Sequence, residues 1–254
     1  MLLDVRGVGK TFAGLEALRD VTLSISEGRI YGLIGPNGAG KTTLFNVITG
    51  MLPATTGTIS FKDGDITRLK PHQIARRGIA RTYQLVRPFQ ELNAAENIEV
   101  GILYGRENPF PSSGDISAET EKYLNWVGLS EKAFHPVGDL NLGERKRLET
   151  AKALAALPDL IMFDEVLAGL NPTETVQAVD LFKRICAAGI TILMIEHNMQ
   201  AIMSACEYIF VLHHGEKIGE GTPQQVSADP KVIEAYLGRK DFKLERRQRL
   251  VTHA

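Results

Sequence analysis

The sequence lacks several features that would assign it to particular classes of protein. Only two cysteines, Cys186 and Cys206, occur among 254 residues, which is too few for a disulfide framework, and they lack metal-ligand spacing. No apolar run approaches the ~20 residues of a membrane-spanning helix, because a charge, a glycine or a proline interrupts each one. The first ten residues do not have the pattern of a secretory signal. We therefore expect a cytoplasmic protein that reaches a membrane only peripherally.

The sequence also has no excess of one charge sign, since it contains 29 Lys and Arg residues and 30 Asp and Glu residues. This balance gives no reason to expect a nucleic-acid partner. The hydrophobic share of 44% is ordinary for a folded protein. A local basic excess occurs at residues 239–254, which indicates either a solvated chain end or contact with anionic lipid or an acidic partner loop.

Short β-branched and leucine-rich runs alternate with longer segments of helical spacing, which predicts a mostly parallel α/β sheet. A stretch from about residue 85 to 158 breaks this pattern, because it contains no convincing strand and reads as helical at 118–127. We expect a helical lobe at 85–158, a core formed by 1–84 and 159–238, and a basic tail at 239–254, all within one domain. The predicted strands are 21–25, 30–34, 79–83, 160–163, 191–195 and 208–212, and the predicted helices include 41–49, 144–156 and 173–188.

The most informative motif is a glycine-rich loop that follows the run 30–34 and precedes a helical segment. It matches the phosphate-binding pattern G-x-x-x-x-G-K-[ST] in the context this pattern requires. Glycines allow backbone N–H groups to approach phosphates closely, a lysine reaches the β- and γ-phosphate oxygens, and a hydroxyl coordinates Mg²⁺. The residues predicted to bind nucleotide here are Gly35, Asn37, Gly38, Ala39, Gly40, Lys41, Thr42 and Thr43, with Thr42 also a metal ligand.

A second motif is the apolar run 160–163, which ends in Asp164 and Glu165. Strand ends carry ligands in doubly wound sheets. We expect Asp164 to hold Mg²⁺ and Glu165 to polarise the water that attacks the γ-phosphate. Taken alone, an acidic pair after a strand is more often a helix cap; the phosphate loop upstream favours the catalytic interpretation.

The order of further motifs gives the chain a specific resemblance. These are Gln84 in Arg-Thr-Tyr-Gln, the segment 139–148 around Gly143, Ala-Gly-Leu-Asn at 168–171, and His197 in Ile-Glu-His. In this order the chain resembles the ATPases of ATP-binding cassette (ABC) transporters over about residues 2–238. Three runs, at 71–82, 170–172 and 234–238, look most like the subfamily for branched-chain amino-acid uptake. The resemblance implies a P-loop ABC ATPase fold with a mostly parallel core sheet, an antiparallel β portion and an inserted helical lobe.

The resemblance also implies roles for single residues. Phe12 would stack on adenine, Gln84 would contact Mg²⁺ and report the nucleotide state to the helical lobe, and His197 would bond the γ-phosphate and hold the attacking water with Glu165. A phenylalanine near a strand is usually a core residue, and a histidine there is sometimes only a cap. The spacing favours the functional interpretation at both positions.

The segment around Gly143 resembles the signature sequence Leu-Ser-Gly-Gly-Gln, whose helix N-terminus faces the γ-phosphate on a second subunit. The chain departs from it with Asn141 for Ser, Leu142 for the first Gly and Glu144 for Gln. We expect the Asn141 amide to donate where the hydroxyl would, and Asn141, Gly143 and Glu144 to belong to the nucleotide site. Leu142, and Val166 in place of the usual Pro, leave the rate of turnover open.

The partners that follow from the resemblance are a second cassette, identical or homologous, integral membrane permease subunits, and a solute-binding protein indirectly. Such a protein is a cytoplasmic ATPase on the inner face of a membrane. Two other ABC functions remain open, namely export of lipid or lipopolysaccharide and a soluble ATPase outside transport. A metabolic kinase would share the phosphate loop, but Gln84, Gly143 and His197 argue against it.

Overall fold

The structure is a computed structural model that describes residues 1–83, 88–105 and 116–236. The strands are β1 (Leu3–Phe12), β2 (Leu15–Ile25), β3 (Ile30–Ile34), β4 (Thr56–Phe61), β5 (Gly64–Asp65), β6 (Ile79–Arg81), β7 (Leu160–Asp164), β8 (Thr191–Ile195), β9 (Tyr208–His213) and β10 (Glu216–Gly221). The helices are α1 (Lys41–Ile48), α2 (Pro71–Arg76), α3 (Ala94–Tyr104), α4 (Ile116–Val127), α5 (Leu142–Ala155), α6 (Pro172–Ala187), α7 (Met199–Ala205) and α8 (Pro223–Ala228).

The larger sheet has six strands in the order β10-β9-β3-β8-β7-β6. All pairs are parallel except β9 with β10. Strands β3, β7 and β8 are buried along their whole length, which explains why they read as continuous apolar runs in the sequence. The order places β8 between β3 and β7, so the loops that leave these three strands lie side by side.

A smaller antiparallel sheet has the order β2-β1-β4-β5. Its inward side chains pack with α1 and one face of the large sheet in a single apolar cluster that includes Leu3, Val5, Phe45 and Leu193. Strand β1 is absent from the runs predicted to be strands, although Leu3 and Val5 are fully buried. Its register with β2 shifts after Val5 and again after Val8, near Gly7 and Gly9, so the alternating pattern is interrupted.

The described residues between β6 and β7 contain helices α3, α4 and α5 and no strand. The predicted helices at 118–127 and 144–156 fall on α4 and α5. These helices pack on one another and on the second face of the large sheet, through side chains such as Ile98, Leu148 and Phe163. The predicted limits of the lobe and the core remain predictions.

Within the part of the chain that the structure describes, no helix combines the length and the hydrophobicity needed to cross a membrane.

Candidate functional site

The candidate site lies at the carboxyl edge of the large sheet, where three neighbouring parallel strands end. Strand β3 leads into residues 35–40, β7 ends at Asp164, and β8 is followed by Glu196 and His197. Parallel strands deliver their carboxyl ends to one edge of a sheet, which is where α/β proteins bind ligands. The topology therefore brings together both motifs found in the sequence.

The phosphate loop has a backbone that suits glycine. Gly35, Gly38 and Gly40 have φ of 153°, 78° and 101°, values that L side chains rarely adopt. Space is also short at two of them, because a Cβ on Gly35 would lie 2.1 Å from the Leu212 carbonyl oxygen and one on Gly40 would lie 2.8 Å from that of Ala17. The loop thus needs glycine for conformation and for close packing, and its backbone fits the approach of phosphate oxygens.

Lys41 begins α1 and lies inside the curve of this loop. Its Nζ donates to the carbonyl oxygens of Gly35 at 2.7 Å and Pro36 at 3.0 Å. Burial lowers the pKa of Lys41, while the carboxylates of Glu165 and Asp164 act in the opposite direction. An ammonium that is poorly solvated gains from contact with a phosphate anion, because the anion stabilises its charged form.

The other predicted residues of the loop differ in exposure. Asn37 and Thr42 are exposed, Thr43 is half-buried, and Ala39 is buried with its carbonyl oxygen accepting from the Gly215 N–H at 3.0 Å. The Thr42 hydroxyl, at the start of α1, is therefore open to solvent. Hydroxyl and carboxylate oxygens are the hard ligands that Mg²⁺ takes, usually together with substrate phosphates, so Thr42 and Asp164 fit this ion chemically.

Asp164 forms a buried ion pair that the sequence did not predict. Its Oδ2 accepts from Nη2 of Arg81 at 2.6 Å, and the two side chains are 5% and 6% exposed. Nη1 of Arg81 also donates to Oδ1 of Asn46 at 2.7 Å. Arg81, which stands three residues before Gln84 in the sequence, thereby links the end of β7 to helix α1.

Glu165 and His197 meet at the edge of the site. Nε2 of His197 lies 2.8 Å from Oε1 of Glu165, and the imidazole is half exposed while the carboxylate is largely buried. The backbone of Glu165 has φ of 53°, which is uncommon for a residue with a side chain, and its N–H donates to the Ile195 carbonyl oxygen at 2.9 Å. The structure thus brings together the predicted base and the predicted histidine.

The loop after Glu165 is held by two buried charged side chains. Oε1 of Glu196 accepts from the Leu167 N–H at 2.8 Å, and Nζ of Lys146 donates to the Ala168 carbonyl oxygen. Both charged residues are at most 5% exposed. Burial raises the pKa of Glu196 to about 7, although the Leu167 N–H and the Lys146 charge lower it. Burial also lowers the pKa of Lys146.

The signature-like segment forms the N-terminus of α5. Oδ1 of Asn141 accepts from the Glu144 N–H, and Oε2 of Glu144 accepts from the Asn141 N–H, each at 2.9 Å. The other Glu144 oxygen lies 2.6 Å from Nζ of Lys132, and this hydrogen bond lowers the pKa of Glu144. Asn141 thus uses its oxygen to cap the helix and keeps its amide as the group that can donate. The predicted nucleotide roles of Asn141, Gly143 and Glu144 remain predictions.

Phe12 is the last residue of β1 and is 40% exposed, which places it outside the core. Nζ of Lys10 lies 5.0 Å from the centroid of its ring. The hairpin that Phe12 begins continues into β2, where the Ala17 carbonyl oxygen approaches Gly40. The hairpin therefore reaches the phosphate loop, and adenine stacking on Phe12 remains a prediction.

Gln84, predicted to contact Mg²⁺, lies outside the described residues. Sequence reasoning missed Arg81, Lys146 and Glu196, although each stands inside or beside a motif already singled out. The only signal in the sequence was a charged residue in or beside a motif. The sequence does not indicate the partner of that charge, because the partner is distant in the chain.

Comparisons with known proteins agree with one another over most of the chain. Residues 18–168 match the family described as ABC transporter, and residues 216–241 match the one described as branched-chain amino acid ATP-binding cassette transporter. BraF of Pseudomonas aeruginosa, a high-affinity branched-chain amino acid transport ATP-binding protein, is 38% identical in an alignment of 249 positions that covers 93% of this chain and 98% of BraF.

A second relative, LivG of Escherichia coli K12, has the same description and is 39% identical over 250 residues, covering 93% of this chain and 98% of LivG. Among solved structures, the ADP conformation of an ATP-binding cassette of an ABC transporter is similar with a TM-score of 0.83 and 33% identity. The similar region covers 94% of this chain and 99% of the chain in that structure.

Proposed function

This chain belongs to the ABC transporter family as an ATP-binding cassette, and on that premise we propose that it drives the uptake of branched-chain or related amino acids. Membership of the family makes it a nucleotide-binding ATPase. The observation that carries the site assignment is the contact of His197 with Glu165, 2.8 Å apart, at the sheet edge that also holds the phosphate loop.

In the proposed reaction, the loop 35–40 and the start of α1 bind the β- and γ-phosphates. Backbone N–H groups and the helix N-terminus favour the anion, and Lys41 turns its Nζ from the carbonyl oxygens of Gly35 and Pro36 to phosphate oxygens. Thr42, Asp164 through the water shell of the ion, and Gln84 as a third candidate would hold Mg²⁺, which would supply positive charge beside the phosphates. Phe12 offers its exposed ring to the adenine.

Glu165 accepts a hydrogen bond from the attacking water and so orients a lone pair towards the γ-phosphorus. His197 bonds the same carboxylate through Nε2. When ATP is bound, this N–H would turn from Glu165 to the γ-phosphate, beside the attacking water. The N-terminus of α5, with Asn141 and Gly143, faces the phosphate bound to a second cassette. Two such chains, or this chain and a homologue, would close around two nucleotides.

The amino-acid cargo and the membrane partners are supported by the curated relatives, which are named as transport ATP-binding proteins for branched-chain amino acids. The match of residues 216–241 to the family of that description lies outside the segment 18–168 that matches the general ABC transporter family. We propose permease subunits on the membrane and a solute-binding protein that acts through them. Export of lipid is the second candidate, because its ATPases resemble this subfamily.

The proposed catalytic role is tested by Glu165→Gln, which keeps the size of the side chain and removes its charge. We expect steady ATP hydrolysis to fall by at least about 10²-fold while ATP still binds and a nucleotide-bound dimer accumulates in size-exclusion chromatography. Unchanged turnover would refute the role of Glu165.

The transport assignment has a separate test. The chain is purified with its membrane partners, and ATP hydrolysis is measured in vesicles with and without a binding protein loaded with leucine. Stimulation by loaded binding protein supports amino-acid uptake. Stimulation by lipid alone, or co-purification with no hydrophobic subunit, contradicts it and favours one of the alternatives.

A further inference from the structure

The catalytic pair depends on a short loop that is contacted by side chains from two other elements. Glu165 has a left-handed backbone, and residues 166–170 turn away from it towards α6. Within this turn the Ala168 N–H donates to the Glu165 carbonyl oxygen at 3.2 Å. A second backbone hydrogen bond in the turn runs from the Leu170 N–H to the Leu167 carbonyl oxygen at 3.2 Å, and Val166 and Leu167 pack into the apolar core. Side chains from other elements add to these contacts in fixing the direction of Glu165.

Two consecutive residues of this loop, Leu167 and Ala168, form hydrogen bonds with side chains from two different elements. The Leu167 N–H is bonded by Glu196, which follows β8 and immediately precedes His197. The Ala168 carbonyl oxygen is bonded by Lys146, which lies in the second turn of α5, the helix that Asn141 caps. A single buried arrangement thus joins the signature-like helix, the loop after Glu165 and the strand end that carries His197.

The cost of burying these two charges argues that the arrangement has a purpose beyond stability. Burying a charged or polar side chain costs free energy that its hydrogen bonds at best offset. Here the two charges influence each other and Glu165 as well. The two side chains do not form a salt bridge with each other. Each holds one peptide group of the loop, Glu196 through a carboxyl oxygen and Lys146 through its Nζ.

We propose that Lys146 and Glu196 are positioning residues for ATP hydrolysis, which clamp residues 167 and 168 and so hold Glu165 against His197. The proposal rests on the catalytic role assigned to Glu165 above. Because Lys146 lies on α5, the clamp also ties the position of Glu165 to the helix whose N-terminus is offered to a second cassette. Removing either hydrogen bond frees the loop without touching the phosphate loop.

The test compares Lys146→Met, Glu196→Ala and Glu196→Gln in the full-length chain, with ATPase kinetics and ATP binding measured on each. We expect kcat to fall about tenfold or more in the first two variants while KM and the Kd for ATP stay within about twofold. Glu196→Gln keeps an acceptor for the Leu167 N–H and should retain most of the activity. The double variant Lys146→Met/Glu196→Ala should show a smaller fold-loss of kcat than the product of the two single losses, because both substitutions act on one loop.

Lys152→Met is the matched control, since Lys152 lies on the same helix and pairs with Glu149 at 2.6 Å. It should leave kcat unchanged. Amide hydrogen exchange supplies a readout that does not depend on activity: peptides covering 166–170 should exchange faster in Lys146→Met, and those covering 35–42 should not.

Wild-type kcat in both Lys146→Met and Glu196→Ala would overturn the proposal. So would a parallel loss of ATP affinity or the same defect in Lys152→Met, because either result indicates general disruption. Loss of hydrolysis in Glu165→Gln is scored separately, so the catalytic role of Glu165 stands or fails independently of the clamp.

Discussion

The guanidinium of Arg81 and the carboxylate of Asp164 lie 2.6 Å apart and are almost completely buried. Arg81 is also covered by two aromatic rings, with its Cζ 5.6 Å from the centroid of Phe45 and 4.9 Å from that of Tyr83. The predicted Mg²⁺ ligand on β7 is therefore oriented by a cation from β6. The orientation of Asp164 depends on that neighbouring strand as well as on its own.

Replacing Arg81 by Met should destabilise the protein strongly, because the Asp164 charge would remain buried without its partner. We expect the free energy of unfolding to fall by about 3–5 kcal/mol, measured by urea denaturation. Arg19→Met is the control: Arg19 pairs with Glu16 and Glu216 but is 59% exposed, so its loss should change the free energy of unfolding far less. Equal losses in the two variants would contradict the importance of the buried pair.

Alanine at Gly40 and at Gly38 separates the two demands that the phosphate loop makes on glycine. Both positions have positive φ, so each substitution should cost about 1–2 kcal/mol for the backbone. A Cβ at Gly38 meets no atom within 4 Å, whereas one at Gly40 meets the Ala17 carbonyl oxygen at 2.8 Å. We therefore expect Gly40→Ala to have the lower melting temperature, and the opposite order would disprove this steric account.

Asn141→Ala should lower the free energy of unfolding by about 1 kcal/mol, because the cap of α5 loses its acceptor. Asn171, with Glu174, forms the same reciprocal bonds at the start of α6, also at 2.9 Å. Asn171→Ala is therefore expected to cost a similar amount, while Asn141→Ser and Asn141→Asp should stay close to wild type. A loss in Asn141→Ser as large as that in Asn141→Ala would show that Asn141 acts by something other than capping.

The stability of the protein should depend on pH through Glu196. Folding raises the pKa of this carboxyl from 4.5 to about 7, so its protonated form favours the folded state, and that contribution is lost as the pH rises through 7. Lys146, Glu165 and Cys206 are the titratable groups that act on it or feel its charge. Between pH 4 and pH 8, wild type should lose roughly 3 kcal/mol relative to Glu196→Gln.

Denaturation curves of both proteins across this range measure the difference directly. Because all other titrating groups are shared, their contributions cancel in the comparison. A difference that is constant with pH would contradict the raised pKa of Glu196.

The sequence predicted the fold class, and the structure and its relatives confirm it. Strands β3, β7 and β8 are buried on both faces, so continuous apolar runs identified them. Strand β1 was missed because Gly7 and Gly9 interrupt its alternation. Membership of the ABC family is likewise confirmed. It could be predicted because the order of the motifs is read directly from the sequence.

The site was predictable where a local pattern carries the chemistry, as in the phosphate loop and the acidic pair after β7. The resemblance predicted that His197 and Glu165 act on the same water, and the structure adds their direct contact. The partners of the buried charges did not follow, because Arg81 meets Asp164, and Lys146 meets the loop after Glu165, only in the folded chain. The roles assigned to Phe12, Gln84 and the segment 141–144 stay predictions.

The placement of β3 in the sheet has a consequence for synthesis on the ribosome. This strand is made early, yet both of its neighbours, β8 and β9, come late in the chain. A nascent chain that has just extruded residues 30–48 therefore carries an exposed apolar strand next to an unfinished phosphate loop. Nucleotide affinity should appear only after the residues of β9 have emerged from the ribosome. Until then, we expect the exposed strand in residues 30–48 to bind a chaperone.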